Sequence, residues 1–174
     1  MSDAGAAPPY PGEGPHALWH ASEDDSIARF EPAPLVWAVD TRHWPIYWFP
    51  RQCPRGTWWA GAGTLAEDAD RLLLGAARVH AIQTDWLARM RSARVVAYRL
   101  PEETFVRQDP HGFWVSREPV EPLELVELGD LLERHAAARI ELRIVADLAA
   151  LWERVIASTL EFSGVRLRNL GCEP

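Results

Sequence analysis

The first candidate site is a polar cluster near the start of the segment LWHASEDDSIARFEP, residues 18–32. His20 is predicted at the end of a strand, where either ring nitrogen can orient a hydroxyl group of a ligand. Ser22 and Glu23 lie close enough in sequence to fix the tautomer of that ring. The pattern therefore predicts a binding or catalytic cluster. A structural alternative is that Ser22 or Asp24 caps a short helix over the next few residues and His20 is half-buried beside it.

The second candidate site is the aromatic and basic block WPIYWFPRQCPRGTWW, residues 44–59. The guanidinium groups of Arg51 and Arg55 suit a phosphate or a carboxylate, and the aromatic side chains around them suit a planar ring. Cys53 lies between the two arginines, whose charge would lower the pKa of its thiol and make it reactive. The alternative is a Pro-rich loop whose aromatic side chains cover the edge of a core.

The composition excludes several other functions. The net charge of −7 argues against nucleic-acid binding by bulk attraction to phosphates, although all 18 basic residues are arginine. Two cysteines are too few for a disulfide framework, and the scattered histidines include no HExxH motif, so no metal site is expected. The apolar runs are shorter than a membrane span, and the N-terminus lacks a signal-peptide pattern. From composition we therefore expect a soluble, acidic, cytoplasmic protein, and its oligomeric state stays undetermined.

Strands are expected to position both candidate sites, because the apolar runs are short and rich in β-branched and aromatic residues. Several of these runs are bounded by proline, which prevents long helices there. The predicted strands are ALWH (17–20), LVWAV (35–39), TWWA (57–60), RVHAI (78–82), RVVAYRL (94–100), FWVS (113–116), LELVEL (123–128) and IELRIV (140–145).

Three helices are predicted from clear patterns, and the first two lie in the middle of the chain. Thr64 and Glu67 form a capping-box pattern ahead of a helix that ends at Gly75, and Thr84 can cap a shorter helix through Met90.

The last helix has the clearest pattern, with apolar residues on one face between positions 148 and 160. Asp147 is its expected N-cap and Gly164 its expected stop, and a further short helix is expected over residues 131–138. Strands outnumber helices without regular alternation, which favours an α+β fold. We expect one domain over residues 16–170, with a split, strongly twisted antiparallel sheet flanked by helices. A disordered leader (1–15) precedes it, and a short tail (171–174) follows it.

Three segments resemble motifs of the ADP-ribosyltransferase-like superfamily. LWHAS with its acidic turn is similar to the opening motif, an aromatic-His-small-Ser/Thr strand that begins the NAD site. LVWAVD (35–40) resembles the second motif, and FWVSREPVEPLELVEL (113–128) resembles the third. The WFPRQCPR block is similar to one in a family of uncharacterised bacterial domains. The resemblance implies the superfamily's fold and NAD as the ligand.

The resemblance also implies roles for individual residues. His20 would bind the nicotinamide-side ribose, Tyr47 would stack on the nicotinamide, and Trp37 would line the pocket. Arg51 or Arg55 would bind phosphate. The third motif departs from the superfamily pattern, because Phe113 stands where transferases carry a glutamate.

Two main hypotheses follow from this departure. In the first, the protein is an NAD-dependent ADP-ribosyltransferase or an NAD glycohydrolase, in which His20 and Glu23 are the catalytic candidates and electrostatic stabilisation replaces the usual glutamate. In both, the site is expected in a cleft formed by His20, Trp37, Tyr47 and the loop from Arg51 to Arg55. In the second hypothesis this cleft is a non-catalytic module that binds a small nucleotide-like ligand, and Phe113 belongs to its lining. A third hypothesis is an enzyme that depends on Cys53.

Overall fold

The computed structural model describes residues 17–108 and 113–172. Contacts between Cα atoms divide the chain into two compact units, and each unit is built from two separate stretches of sequence. Unit 1 comprises Met1–Arg51 and Arg94–Gly129, and unit 2 comprises Gln52–Ala93 and Asp130–Pro174. The expected leader, residues 1–15, lies outside the described residues.

The fold is α+β, as predicted, with ten strands and four α-helices in the part of the chain that the structure describes. In chain order the elements are β1 (Leu18–Ser22), β2 (Val36–Asp40), β3 (Arg55–Trp59), α1 (Ala66–Leu72), β4 (Arg78–Gln83), α2 (Leu87–Ser92), β5 (Val96–Leu100), β6 (Val106–Gln108), β7 (Phe113–Ser116), β8 (Glu124–Glu127), α3 (Leu131–Ala137), β9 (Glu141–Val145), α4 (Leu148–Ile156) and β10 (Glu161–Val165).

Unit 1 contains a six-stranded sheet with the order β6-β7-β2-β1-β5-β8, in which all neighbouring strands are antiparallel. Side chains alternate between the two faces of a sheet. One face carries the core of the unit, which is made mainly of aliphatic and aromatic residues from four strands and their loops. This core consists of Leu18, Phe30, Val36, Ala38, Val96, Tyr98, Leu100, Phe105, Trp114 and Val120.

The other face of this sheet is covered in part by a 3-10 helix, Trp44–Tyr47, which has a proline in its first turn. Trp44 stacks on Trp19 of β1 with 5.8 Å between ring centroids. The indole N–H of Trp19 donates to the hydroxyl of Thr41 at 3.0 Å. The first residues of the aromatic and basic block thus pack against the strand that carries His20.

Unit 2 contains a four-stranded sheet with the order β10-β3-β4-β9. The strands β4 and β9 are parallel and the other pairs are antiparallel, so the prediction of an antiparallel arrangement is wrong for this pair. A parallel pair requires a long crossover connection, and here the chain between the two strands is more than 50 residues long. The helices α1 and α4 pack on one face of the sheet and form a core with it. This core consists of Trp58, Leu72, Leu73, Val79, Ala81, Leu148, Val155 and Leu160.

Two glycines make room for a tryptophan of α4 on this face. Gly56 of β3 and Gly164 of β10 are directly opposite each other in the sheet. A Cβ atom on Gly56 would lie 2.7 Å from the indole of Trp152, and one on Gly164 would also lie 2.7 Å from it. Gly164 was expected to stop the last helix, but that helix ends at Ile156 and Gly164 belongs to a strand.

The eight predicted strands are confirmed, but several helix details differ. Asp147 caps α4 as predicted, by accepting from the backbone N–H of Ala150 at 2.9 Å. Thr64 does not cap α1, because its hydroxyl accepts from Gly61 and donates to the carbonyl of Thr159.

Candidate functional site

His20 lies on the core face of the sheet of unit 1. It is opposite Tyr98 in β5, and its ring packs against Phe30 with 4.8 Å between centroids. Its Nδ1 is 2.8 Å from the carbonyl oxygen of Trp37. Because a carbonyl only accepts, Nδ1 carries the proton and Nε2 carries the lone pair when the ring is neutral.

The electrostatic surroundings keep that ring neutral at pH 7. Burial lowers the pKa of His20 below its usual value, the hydrogen bond to the Trp37 carbonyl raises it in part, and the charge of Arg51 lowers it further. His20 is therefore suited to accept a hydrogen bond from a ligand at Nε2 rather than to bind an anion.

Glu23 and Arg51 lie together at the same end of unit 1. A carboxylate oxygen of Glu23 accepts from the backbone N–H of Arg51 at 3.0 Å. This hydrogen bond joins the acidic turn to the middle of the aromatic and basic block. The Arg51 side chain is exposed, and its charge reaches His20. The structure thus brings His20, Glu23 and Arg51 into one group.

Ser22 has a local structural role. Its side chain is buried and accepts from the backbone N–H of Asp24 at 3.0 Å, while the Asp24 carboxylate accepts from Ser26 at 2.9 Å. These contacts form successive turns, and no helix follows over residues 25–29, so the expectation of a capped helix there is wrong.

Three aromatic side chains form a second group. The ring of Phe113 is in edge-to-face contact with Trp37 at 6.2 Å and with Tyr47 at 6.3 Å. Trp37 is 49% exposed, whereas Tyr47 and Phe113 are half-buried. We call Trp37, Tyr47 and Phe113 the aromatic platform.

The two groups belong to opposite faces of the sheet. His20 is two residues from Leu18, which faces the core, whereas Trp37 and Phe113 are each next to a core-facing residue, Ala38 and Trp114. Alternation along paired strands therefore places the His20 ring on one face and the platform rings on the other. The prediction that His20, Trp37 and Tyr47 line one cleft is wrong in this respect.

Cys53 and Arg55 belong to unit 2, where both are buried. Burial raises the pKa of Cys53 to about 12, although the charge of Arg55 acts to lower it. This shift is opposite to the one predicted from the sequence, because the thiol is fully buried. Arg55 donates to the carbonyl of Cys53 at 2.9 Å, so that part of its guanidinium holds the local chain.

Sequence reasoning missed a buried ionisable pair in unit 1. Asp40, at the end of β2, accepts from the His43 ring at 2.7 Å and from the His43 backbone N–H at 3.0 Å. Burial raises the pKa of Asp40, but the hydrogen bonds and charge of His43, together with the charge of Arg107, lower it to a net value below the usual one. The spacing D-x-x-H ahead of a proline was the available signal.

The described chain has neither a candidate metal centre nor a membrane-spanning helix. Within residues 17–108 and 113–172, no group of three or more His, Cys, Asp or Glu side chains could hold a metal ion. In the same residues, no helix has the length and apolar character needed to cross a membrane.

Comparison with known proteins finds one family, described as a family of unknown function, DUF6886, whose match covers residues 19–170. The chain belongs to the DUF6886 family. No curated protein and no solved structure matches it. The stretch shared with DUF6886 includes every candidate site residue named above. Because the function of DUF6886 is unknown, the chemistry of these residues has to be argued from their geometry.

Proposed function

We propose that unit 1 is a non-catalytic binding module for a planar, nucleotide-like ligand, with NAD as the first candidate, and that the ligand stacks on the aromatic platform. The observation that carries this proposal is the half-exposed indole of Trp37, held edge-on by Phe113. Tryptophan offers a large apolar surface, and leaving half of it in water is unfavourable unless something covers it.

The neighbours of Trp37 support the same proposal. Phe113 contacts both other rings of the platform, so it fixes their relative orientation before any ligand arrives. Pre-organised aromatic side chains bind planar groups at a small entropic cost. The resemblance to the ADP-ribosyltransferase-like superfamily suggests nicotinamide or adenine as the planar group, and an apolar Phe113 fits binding better than transfer.

A second candidate function is NAD hydrolysis or ADP-ribosyl transfer. The observation that favours it is the grouping of His20, Glu23 and Arg51, in which a neutral imidazole lies within the field of a cation. In such a reaction water or another acceptor would replace nicotinamide on the ribose, which leaves nicotinamide as a measurable product.

The test is a calorimetric titration of the whole protein with NAD, ADP-ribose and nicotinamide, alongside an assay for released nicotinamide. We expect binding without turnover, and a loss of at least tenfold in affinity in Trp37→Ala. Leu123→Ala, which removes another exposed apolar side chain of unit 1, is the matched control and should bind normally.

Two results would overturn this assignment. Unchanged affinity in Trp37→Ala would exclude the platform as the binding surface. Release of nicotinamide by the unmodified protein, abolished in His20→Ala, would favour the enzyme instead.

A further inference from the structure

Two buried histidines meet inside unit 2, on the face of the sheet opposite the core formed with α1 and α4. His80 lies in the middle of β4 and His135 lies on α3, and at most 1% of either residue is exposed. Nδ1 of His80 is 3.0 Å from Nε2 of His135, and the rings are almost perpendicular, at 80°. This histidine pair is a direct side-chain link between the helix and the sheet.

The hydrogen bonds fix the positions of the protons. Nδ1 of His135 is 2.6 Å from the carbonyl oxygen of Leu131, which can only accept, so Nδ1 of His135 carries a proton. In the neutral ring Nε2 of His135 is then an acceptor, and Nδ1 of His80 must donate to it. Both imidazoles are neutral and both are protonated at Nδ1.

Adding one proton gives the pair a net charge. A proton on Nε2 of His135 requires the His80 proton to move from Nδ1 to Nε2, so that Nδ1 of His80 can accept at 3.0 Å. A proton on Nε2 of His80 leaves its Nδ1–H donating to His135. In either case a positive charge lies in the interior. Neither charge can be hydrated while α3 stays on the sheet, because both rings are buried.

In the described part of the chain, the charged groups that lower the pKa values of the pair are arginines. They are Arg55 of β3, Arg78 of β4 and Arg134 of α3. On β9, Leu142 is opposite His80, and its charged neighbours Glu141 and Arg143 point to the other face. The charged residues of α2, which packs on α3, are Arg89 and Arg91, and the acid within α3, Glu133, is exposed.

We propose that the histidine pair is an acid-sensitive latch, which holds α3 against the sheet of unit 2 at neutral pH and releases it when one ring takes up a proton. The latch does not depend on the ligand proposed for unit 1. It gives unit 2 a conformational response to mild acid that involves α3 before the rest of the unit.

The direction and range of the response follow from linkage. Burial lowers the pKa of His135 to about 4, the hydrogen bond to Leu131 raises it in part, and Arg134 lowers it further. Burial, His135 and the nearby arginines lower the pKa of His80 well below its ordinary 6.5. The released state therefore binds protons first, and the latch weakens as pH falls from 6.5 towards 4, by about tenfold per pH unit for each histidine.

Hydrogen exchange of the whole protein at pH 7.5 and pH 5.0, corrected for intrinsic exchange rates, tests the latch. We expect protection of the α3 amides to fall by at least tenfold at pH 5.0, while protection of α4 changes much less. The helix α4 belongs to the same unit and contains no histidine, so it is the internal control. Equal losses in both helices, or no loss in α3, would overturn the proposal.

A variant that keeps the link but cannot titrate sharpens the test. In the double variant His80→Asn/His135→Gln, an amide N–H replaces Nδ1 of residue 80 and an amide oxygen replaces Nε2 of residue 135. We expect α3 protection that no longer depends on pH. Retention of the wild-type pH response in this variant would contradict the latch.

Nitrogen NMR of the unmodified protein provides a readout that needs no variant. Long-range proton–nitrogen correlations should show both imidazoles neutral and protonated at Nδ1 at pH 7.5. An Nε2-protonated His80 or His135 at that pH would refute the arrangement on which the latch depends.

Discussion

Two buried histidine contacts, one in each unit, differ in the chemistry of the partner. In unit 1, His43 is paired with a buried carboxylate, Asp40, which accepts two hydrogen bonds from it. In unit 2, His80 and His135 are paired with each other, and the charged groups acting on them are arginines. The comparison teaches that the partner of a buried histidine helps to set the pH range in which the contact between them is lost.

The two arrangements should fail in different pH ranges. The pKa of Asp40 is lowered from its ordinary 3.8, so its contribution to stability is complete above about pH 4 and is lost only below it. The histidine pair loses stability as pH falls from 6.5 towards 4. Mild acid should therefore loosen unit 2, in which two histidines have a lowered pKa, more than unit 1, in which His20 has one.

The largest expected effect comes from removing the carboxylate of unit 1. Asp40→Ala removes the carboxylate that accepts from the buried His43 ring, and should lower the free energy of unfolding by about 3 kcal/mol. The His43 backbone N–H keeps the main-chain carbonyl of residue 40 as an acceptor at 3.1 Å. Urea unfolding at pH 7 measures this loss. Asp25→Ala, an exposed acid of the same unit, is the control and should change stability by less than about 0.5 kcal/mol. A similarly small change in Asp40→Ala would remove the contrast between the units.

The second effect concerns the packing of α4 on the sheet of unit 2. Gly56→Ala places a methyl group 2.7 Å from the Trp152 indole, and should cost about 2 kcal/mol by displacing that ring. Thermal unfolding followed by tryptophan fluorescence reports the loss. Gly63→Ala has open space around the new methyl group and is the matched control. If both variants melt alike, the glycine pair does not position Trp152.

The smallest effect separates histidine titration from carboxylate titration within unit 2. Asp68 accepts from the Thr159 hydroxyl and backbone N–H and from Arg71, and these hydrogen bonds lower its pKa to about 2. Its contribution is present above about pH 4 and is lost as pH falls towards 2. Asp68→Asn should therefore flatten the stability of unit 2 between pH 4 and 2 and leave the range from 6.5 to 4 unchanged.

Denaturant unfolding at several pH values measures this difference, with Asp70→Asn as the exposed control on the same helix. A change of slope above pH 4 in Asp68→Asn would mean that the response assigned to the histidine pair has another source.

Much of the secondary structure could be predicted from the sequence. The eight predicted strands are rich in β-branched or aromatic residues, and several have a flanking proline or glycine, which is a local signal. Two strands were missed for local reasons as well. The strand β6 is short and fully exposed, so it has no apolar alternation, and β10 contains Gly164, which is also typical of a helix end.

The candidate sites were harder to predict, because they depend on register. The sequence identifies His20 and Trp37 as unusual, but only the pairing of β1, β2 and β7 shows that their rings belong to opposite faces. The histidine pair joins residues 55 positions apart, and neither residue has a neighbour in sequence that marks it. Cys53 was misjudged because charge along the chain is visible in a sequence and complete burial is not.

The interleaving of the two units along the chain has a consequence for biosynthesis. The six strands of unit 1 are all present once the ribosome has extended the chain to Glu127, whereas unit 2 waits for β9 and β10, the last of which ends at Val165. During that interval β3 and β4 have been synthesised, but β10 and β9, which pair with their outer edges, have not. Unpaired strand edges are prone to association with other chains. Slow translation between residues 128 and 165 should therefore increase aggregation of the nascent protein.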